Sequence, residues 1–151
     1  MDAAIVTLED RLVLGSVARI NPMAADYVRI WREGFDPHQP AVSRMAAEPG
    51  YYGVYYSSEE AGMVDFLAGM VVASDSAVPE GLKARPLPGG VYARFDVTLS
   101  TIGAAWAAIY SEWLPGSGYV EDPSRPALEY FAPDMGEGPD APVAIYVAVS
   151  A

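Results

Sequence analysis

One order of elements, strand–helix–strand–strand, occurs twice in this chain and constrains its fold more than any other sequence feature. "RLVLGSVARI" (11–20) is rich in Val, Leu and Ile and reads as a strand. Asn21 and Pro22 come next as an N-cap and first-turn pair. Met23, Tyr27, Ile30 and Trp31 then stand at i, i+4, i+7 and i+8, one face of a helix. The stretch 36–50 holds Pro37, Pro40, Pro49 and Gly50 and is expected to be irregular apart from one short helical turn. "YYGVYYSS" (51–58) and "MVDFLAGMVVAS" (63–74) are the next two strands.

The second half repeats the order. "GGVYARFDVTL" (89–99) is a strand, Ser100 caps the second helix, and Ile102, Trp106, Ile109 and Tyr110 repeat the helical spacing. "WLPGSG" ends that helix, and "PALEYFAPD" (126–134) and "PVAIYVAVS" (142–150) close the chain as strands. The expected fold is α+β: duplicated βαββ units forming one antiparallel sheet, with two helices on one face. A groove would run along the pseudo-twofold seam between the helices, a common kind of ligand site. Residues 1–151 are expected to form one domain, with repeat one at about 1–75 and repeat two at about 87–151. "SAVPEGLKARPLP" (76–88) would link them.

Composition removes several classes of function. The chain of 151 residues has a hydrophobic fraction of 52%, enough for a substantial core. It has no cysteine, which excludes thiol catalysis, thiolate metal sites and disulfides, and favours a reducing cytoplasm. With His38 as the only histidine, a zinc site or a Ser–His–Asp triad has no support, and no metal or other cofactor is expected. The net charge of −11 would repel a phosphate backbone, so direct nucleic-acid binding is not expected. The acidity serves solubility, and it also attracts cations. No run of roughly 18 apolar residues occurs, so no membrane span is expected.

Three stretches, "LPGGVYARFDV", "AAWAAIYSEWLPGSGYVEDPSRPALEYF" and "VAIYVAVS", resemble the GyrI-like small-molecule-binding domain family across most of residues 87–150. The most specific part is "EWLPGSGY", followed by a short acidic, proline-containing loop and "LEYF"; the first half fits through "YGVYY" and the strand order. That family includes effector-binding domains of MerR- and AraC-type multidrug regulators, gyrase inhibitor proteins and single-domain relatives. The resemblance implies a binding module for bulky, flat, often cationic compounds, with a buried glutamate at the position of Glu129. Some relatives also hydrolyse cyclopropane-bearing natural products with a glutamate and tyrosines of the same pocket. In that case Glu129 would activate water, and Tyr55 would donate or orient a proton. The first strand starts within about ten residues of Met1, which leaves no room before it for a helix-turn-helix. The expectation is therefore a stand-alone domain.

The residues support a pocket at Glu129. On strand 127–131, Ala127, Glu129 and Phe131 point one way, and Leu128 and Tyr130 the other. Burying a lone carboxylate costs several kcal/mol unless it is bonded, paired or protonated. A lipophilic cation would supply a partner, and aromatic walls would add cation–π attraction of about 0.5–2 kcal/mol per ring. Ten tyrosines against four phenylalanines fit such a wall. "GVYY" (53–56) matches "LEYF" (128–131), which places its strand across the seam from Glu129. Tyr55 is the first expected ligand-contact partner, then Tyr146 and Tyr92, with Trp113 and Tyr119 at one end of the groove. Trp106 is assigned to core or groove wall, and Asp65 and Asp96 to outward-facing strand positions. Three functions share these residues: a cytoplasmic binding protein for amphipathic cations, a hydrolase, and a protein-interaction module that would bring a protein partner.

Overall fold

The computed structural model describes residues 1–136 and 138–151. Nine strands form an antiparallel sheet among these residues: β1 (Ala4–Leu8), β2 (Arg11–Ile20), β3 (Tyr51–Ser57), β4 (Val64–Val72), β5 (Lys83–Leu87), β6 (Gly90–Thr98), β7 (Val120–Glu121), β8 (Ala127–Phe131) and β9 (Pro142–Ser150). The strand order is β1-β6-β9-β8-β3-β4-β2-β5, with the short β7 on β9. The α+β class and the duplicated order are as expected. Each half contributes one block, β3-β4-β2 and β8-β9-β6, and β3 and β8 meet at the seam.

Two strands lie outside the expected pattern. β1 precedes the strand expected to be first, and β5 lies inside the stretch expected to be a linker. They work together. Ala4↔Arg94 through Leu8↔Gly90 and Arg11↔Leu87 through Gly15↔Lys83 form antiparallel pairs in one unbroken register. Residues 4–15 therefore run beside residues 83–94 as a single bent ribbon that joins the two ends of the sheet. At the bend, Gly89 N donates to Asp10 Oδ1 at 2.7 Å. A side chain on Gly89 would collide with the carbonyl of Leu8. Pro86 is tolerated in β5 because that strand is an edge.

This closure turns the helix-free face inward. Val13, Tyr52, Val54, Tyr56, Leu67, Tyr92 and Leu128 form a buried core there, drawn from both halves. On the other face each half has its own core beneath its helix: Leu14, Phe35, Val42 and Phe66 in the first, Phe95, Ile109, Ile145 and Val147 in the second.

The helical segments differ in detail from the sequence expectation. The first, α1 (27–45), begins at Tyr27, and Asp26 is its cap, accepting a hydrogen bond from Arg29 N. Asn21 instead accepts from Met23 N in a turn, so Met23 lies outside the helix and is exposed. The stretch expected to be irregular continues α1 through a 3-10 turn, Asp36–His38, and an α-helix, Gln39–Met45. Pro37 and Pro40 occupy first-turn positions, where no backbone N–H is needed. In the second segment, α2 (99–116), Thr98 and Thr101 form the capping box, and Ser100 is not the cap. Both segments carry a π-helical stretch, Ile30–Phe35 and Ile109–Trp113.

Candidate functional site

β8 presents Ala127, Glu129 and Phe131 to the helices, while Leu128 is buried in the closed interior, as strand alternation requires. Glu129 is 5% exposed and is the one buried charged side chain among the described residues. Its Cα partner across the seam is Gly53. A methyl group at Gly53 would lie 2.8 Å from Phe66 Cζ and 3.4 Å from Glu129 Oε1, so the glycine makes the room that the carboxylate occupies.

One oxygen of Glu129 takes both protein donors. Trp106 Nε1 donates to Oε2 at 2.7 Å, and Tyr55 OH donates to the same atom at 3.2 Å. Oε1 has no protein donor among the described residues, and it opens on the groove. No lysine, arginine or histidine among those residues pairs with this carboxylate. Burial pushes the Glu129 carboxyl above its ordinary value, and the two donors oppose that shift only in part. Burial and the neighbouring Glu129 push the Tyr55 phenol far up, so it stays protonated and remains a donor.

The groove between α1 and α2 has a volume of about 980 Å³. Tyr55, Glu129 and Phe131 form its floor; Tyr27 and Trp31 from α1 and Trp106 from α2 form its walls. The rings meet edge to face: Tyr55 and Trp106 at 5.6 Å, Trp31 and Phe131 at 5.7 Å, Tyr27 and Tyr55 at 6.4 Å between centroids. Trp106 also stacks on Tyr110 at 6.3 Å. These rings give the groove an aromatic lining, the kind of wall against which a flat or cationic guest gains stacking and cation–π attraction. Met23, Val28 and Tyr110 line the mouth as exposed apolar side chains.

Of the expected site residues, the structure brings Tyr55 to Glu129 and separates the others from it. Tyr146 is the cross-strand partner of Leu128, so it lies on the helix-free face, half-buried against that core, with Arg94 over its ring at 5.7 Å. Tyr92 is fully buried on that same side, donates to Pro88 O at 2.8 Å and carries Arg125 over its ring at 4.9 Å. Both were expected in the groove; closure of the sheet instead makes their face a second core. Trp113 of α2 stacks on Tyr119, with Phe95 of the sheet 5.0 Å from Trp113, and neither lines the groove. The match of "GVYY" with "LEYF" holds for the strands but slips by one residue, because it equates Glu129 with Val54, which faces the interior.

Trp106, assigned to core or wall, makes the shortest bond to the carboxylate, and Tyr27 and Trp31 were not expected as site residues. Helical spacing with Tyr110 and with Ile30 was the available signal for these residues; it shows a face and not which ring nitrogen meets an acid. Asp65 pairs with Arg19 at 2.9 Å and with Arg85 at 3.8 Å, away from the groove, and Asp96 pairs with Arg94 on the surface.

Known proteins match this fold and chain. A DNA gyrase inhibitor of Erwinia billingiae is 29% identical over 126 residues, 78% of this chain and 81% of that protein. The structure of SAV2435 bound to tetraphenylphosphonium superposes with a TM-score of 0.79 at 12% identity, covering 99% of this chain and 94% of that one. The EcmrR C-terminal domain superposes with a TM-score of 0.69 at 14% identity, covering 99% and 97%. At those identities the superpositions establish a shared fold. The GyrI-like small molecule binding domain model matches residues 1–150, nearly the whole length, and by that match the chain belongs to the GyrI-like small-molecule-binding domain family.

Proposed function

We propose that the groove binds lipophilic aromatic cations and that Glu129 is the counter-charge. The observation that carries this reading is the carboxylate itself: buried, held through one oxygen by two neutral donors, and with its second oxygen facing an aromatic groove. A buried acid without a cationic partner is costly to ionise, and a guest cation removes that cost while the rings replace its hydration. The tetraphenylphosphonium bound by SAV2435, a protein of the same fold, is a cation of this chemistry. The acidic surface of the chain adds a favourable field for its approach.

Titration of the protein with tetraphenylphosphonium, followed by tryptophan fluorescence because Trp106 and Trp31 line the groove, tests this reading. Saturable binding that Glu129→Gln weakens by about tenfold or more, roughly 1.4 kcal/mol, is the expected result. Equal binding by both proteins would overturn the role of Glu129. Incubation with a cyclopropane-bearing compound, recovered either unchanged or as its hydrolysis product, would separate binding from hydrolysis, which the same Glu129 and Tyr55 could otherwise serve.

A further inference from the structure

The α1 end of the groove holds a second polar pair. Gln39 Nε2 donates to Tyr51 OH at 3.2 Å, and both side chains line the groove. That bond leaves the carboxamide oxygen of Gln39 and the hydroxyl hydrogen of Tyr51 without a protein partner among the described residues. The Tyr51 ring is held in place edge to face by Trp31 at 6.4 Å and Phe35 at 6.1 Å. An acceptor and a donor therefore sit side by side on a fixed support, which is the complement of an amide.

The position of this pair relative to Glu129 comes from the register. Tyr51 lies on the same face of β3 as Gly53, opposite Phe131, while Glu129 is opposite Gly53. Tyr51 is thus one side-chain row from Glu129, about 7 Å along the strand. Arg32 and Asp36 line the groove at this end too, both exposed and of opposite charge. Their charges offset one another, so this end favours a neutral hydrogen-bonding group over a second charge. The volume of about 980 Å³ is near the upper end of the range for ligand pockets and accommodates a guest that reaches both places.

We propose that Gln39 and Tyr51 form a second subsite, which reads a neutral donor–acceptor group such as a carboxamide at the far end of a ligand whose cationic end lies at Glu129. The proposal rests on the cation-binding reading of the groove. The preferred ligand class is accordingly an elongated aromatic cation with an amide-bearing arm, and not a compact cation alone.

A series of triphenylphosphonium cations tests it, each with an alkyl arm of increasing length ending in either a carboxamide or a methyl group. At one arm length the carboxamide should bind about tenfold more tightly than its methyl-ended match, the worth of one to two well-made hydrogen bonds. Gln39→Leu and Tyr51→Phe should each abolish that gain, so that the carboxamide-ended cation binds no more tightly than its methyl-ended match. Glu129→Gln should weaken both series alike. A gain at no arm length, or a gain that survives both substitutions, overturns the subsite while leaving the cation reading intact. If wild type binds neither series, the cation reading fails and the subsite fails with it.

Discussion

Gly53 and Glu129 are cross-strand partners at the seam, and the absence of a side chain on the first leaves the space into which the second turns its unbonded oxygen. The cleft beside Glu129 Oε1, where the two halves meet, is open only while position 53 carries no side chain. Gly53→Ala should close it. The added methyl would press on Phe66, and relief by backbone or ring movement should cost about 1–3 kcal/mol. The checks are a lower unfolding midpoint in urea and a weaker affinity for tetraphenylphosphonium; an affinity equal to wild type would show that the cleft is not used.

Trp106 is the stronger of the two donors to Glu129, by distance. A hydrogen bond to a charged group contributes about 1.5–3 kcal/mol, and it stabilises the ionised carboxylate that a cation needs. Trp106→Phe keeps an aromatic wall and removes the N–H. Cation affinity at neutral pH should fall by about tenfold or more. A parallel titration across pH should show the midpoint for binding displaced upward, which a simple loss of wall area would not produce.

Much of this site was legible in the sequence because a strand has a strict period. Alternation placed Ala127, Glu129 and Phe131 on one face, and the structure puts all three on the groove side. Alternation cannot say what covers the other face. Tyr92 and Tyr146 lie on that other face, and pairing between residues 4–15 and 83–94 covers it, burying Tyr92 fully and Tyr146 in part. That pairing joins segments some eighty positions apart and leaves only weak local marks, five-residue strands flanked by acids or prolines. The π-helical stretches are equally hidden, since helical spacing reads the same through Ile30–Trp31 and Ile109–Tyr110 whether or not the turn widens. Gly53 was the overlooked signal: a lone glycine within a strand of tyrosines marks a close approach.

The two faces can be separated by experiment. Tyr92→Phe removes the bond from the hydroxyl to Pro88 O in the closed interior and should cost about 1 kcal/mol of stability. It should leave the affinity for tetraphenylphosphonium unchanged. Tyr55→Phe, which removes a donor on the groove side, should weaken binding severalfold. If the Tyr92 variant lost affinity as much as the Tyr55 variant, the assignment of Tyr92 to a structural interior would be wrong.

The raised proton affinity of Glu129 links stability and binding to pH in opposite directions. Burial makes the folded state favour the protonated acid, so the folded chain binds more protons at this group than the unfolded chain. By linkage, the contribution of Glu129 to stability is fully present below the unfolded-state value of about 4.3. It declines as pH rises through the higher folded-state value and is constant beyond it. Glu129→Gln has no such titration, so the variant should gain on wild type as pH is raised from about 4 and then hold a fixed advantage. A cation needs the ionised form, so wild-type affinity should rise over the same window and level off where the stability difference does. Urea denaturation of both proteins and ligand titration of wild type, each followed from acid to neutral pH, provide the two curves. A stability difference independent of pH would mean that the carboxyl titrates alike in the folded and unfolded chains, its two donors fully offsetting its burial.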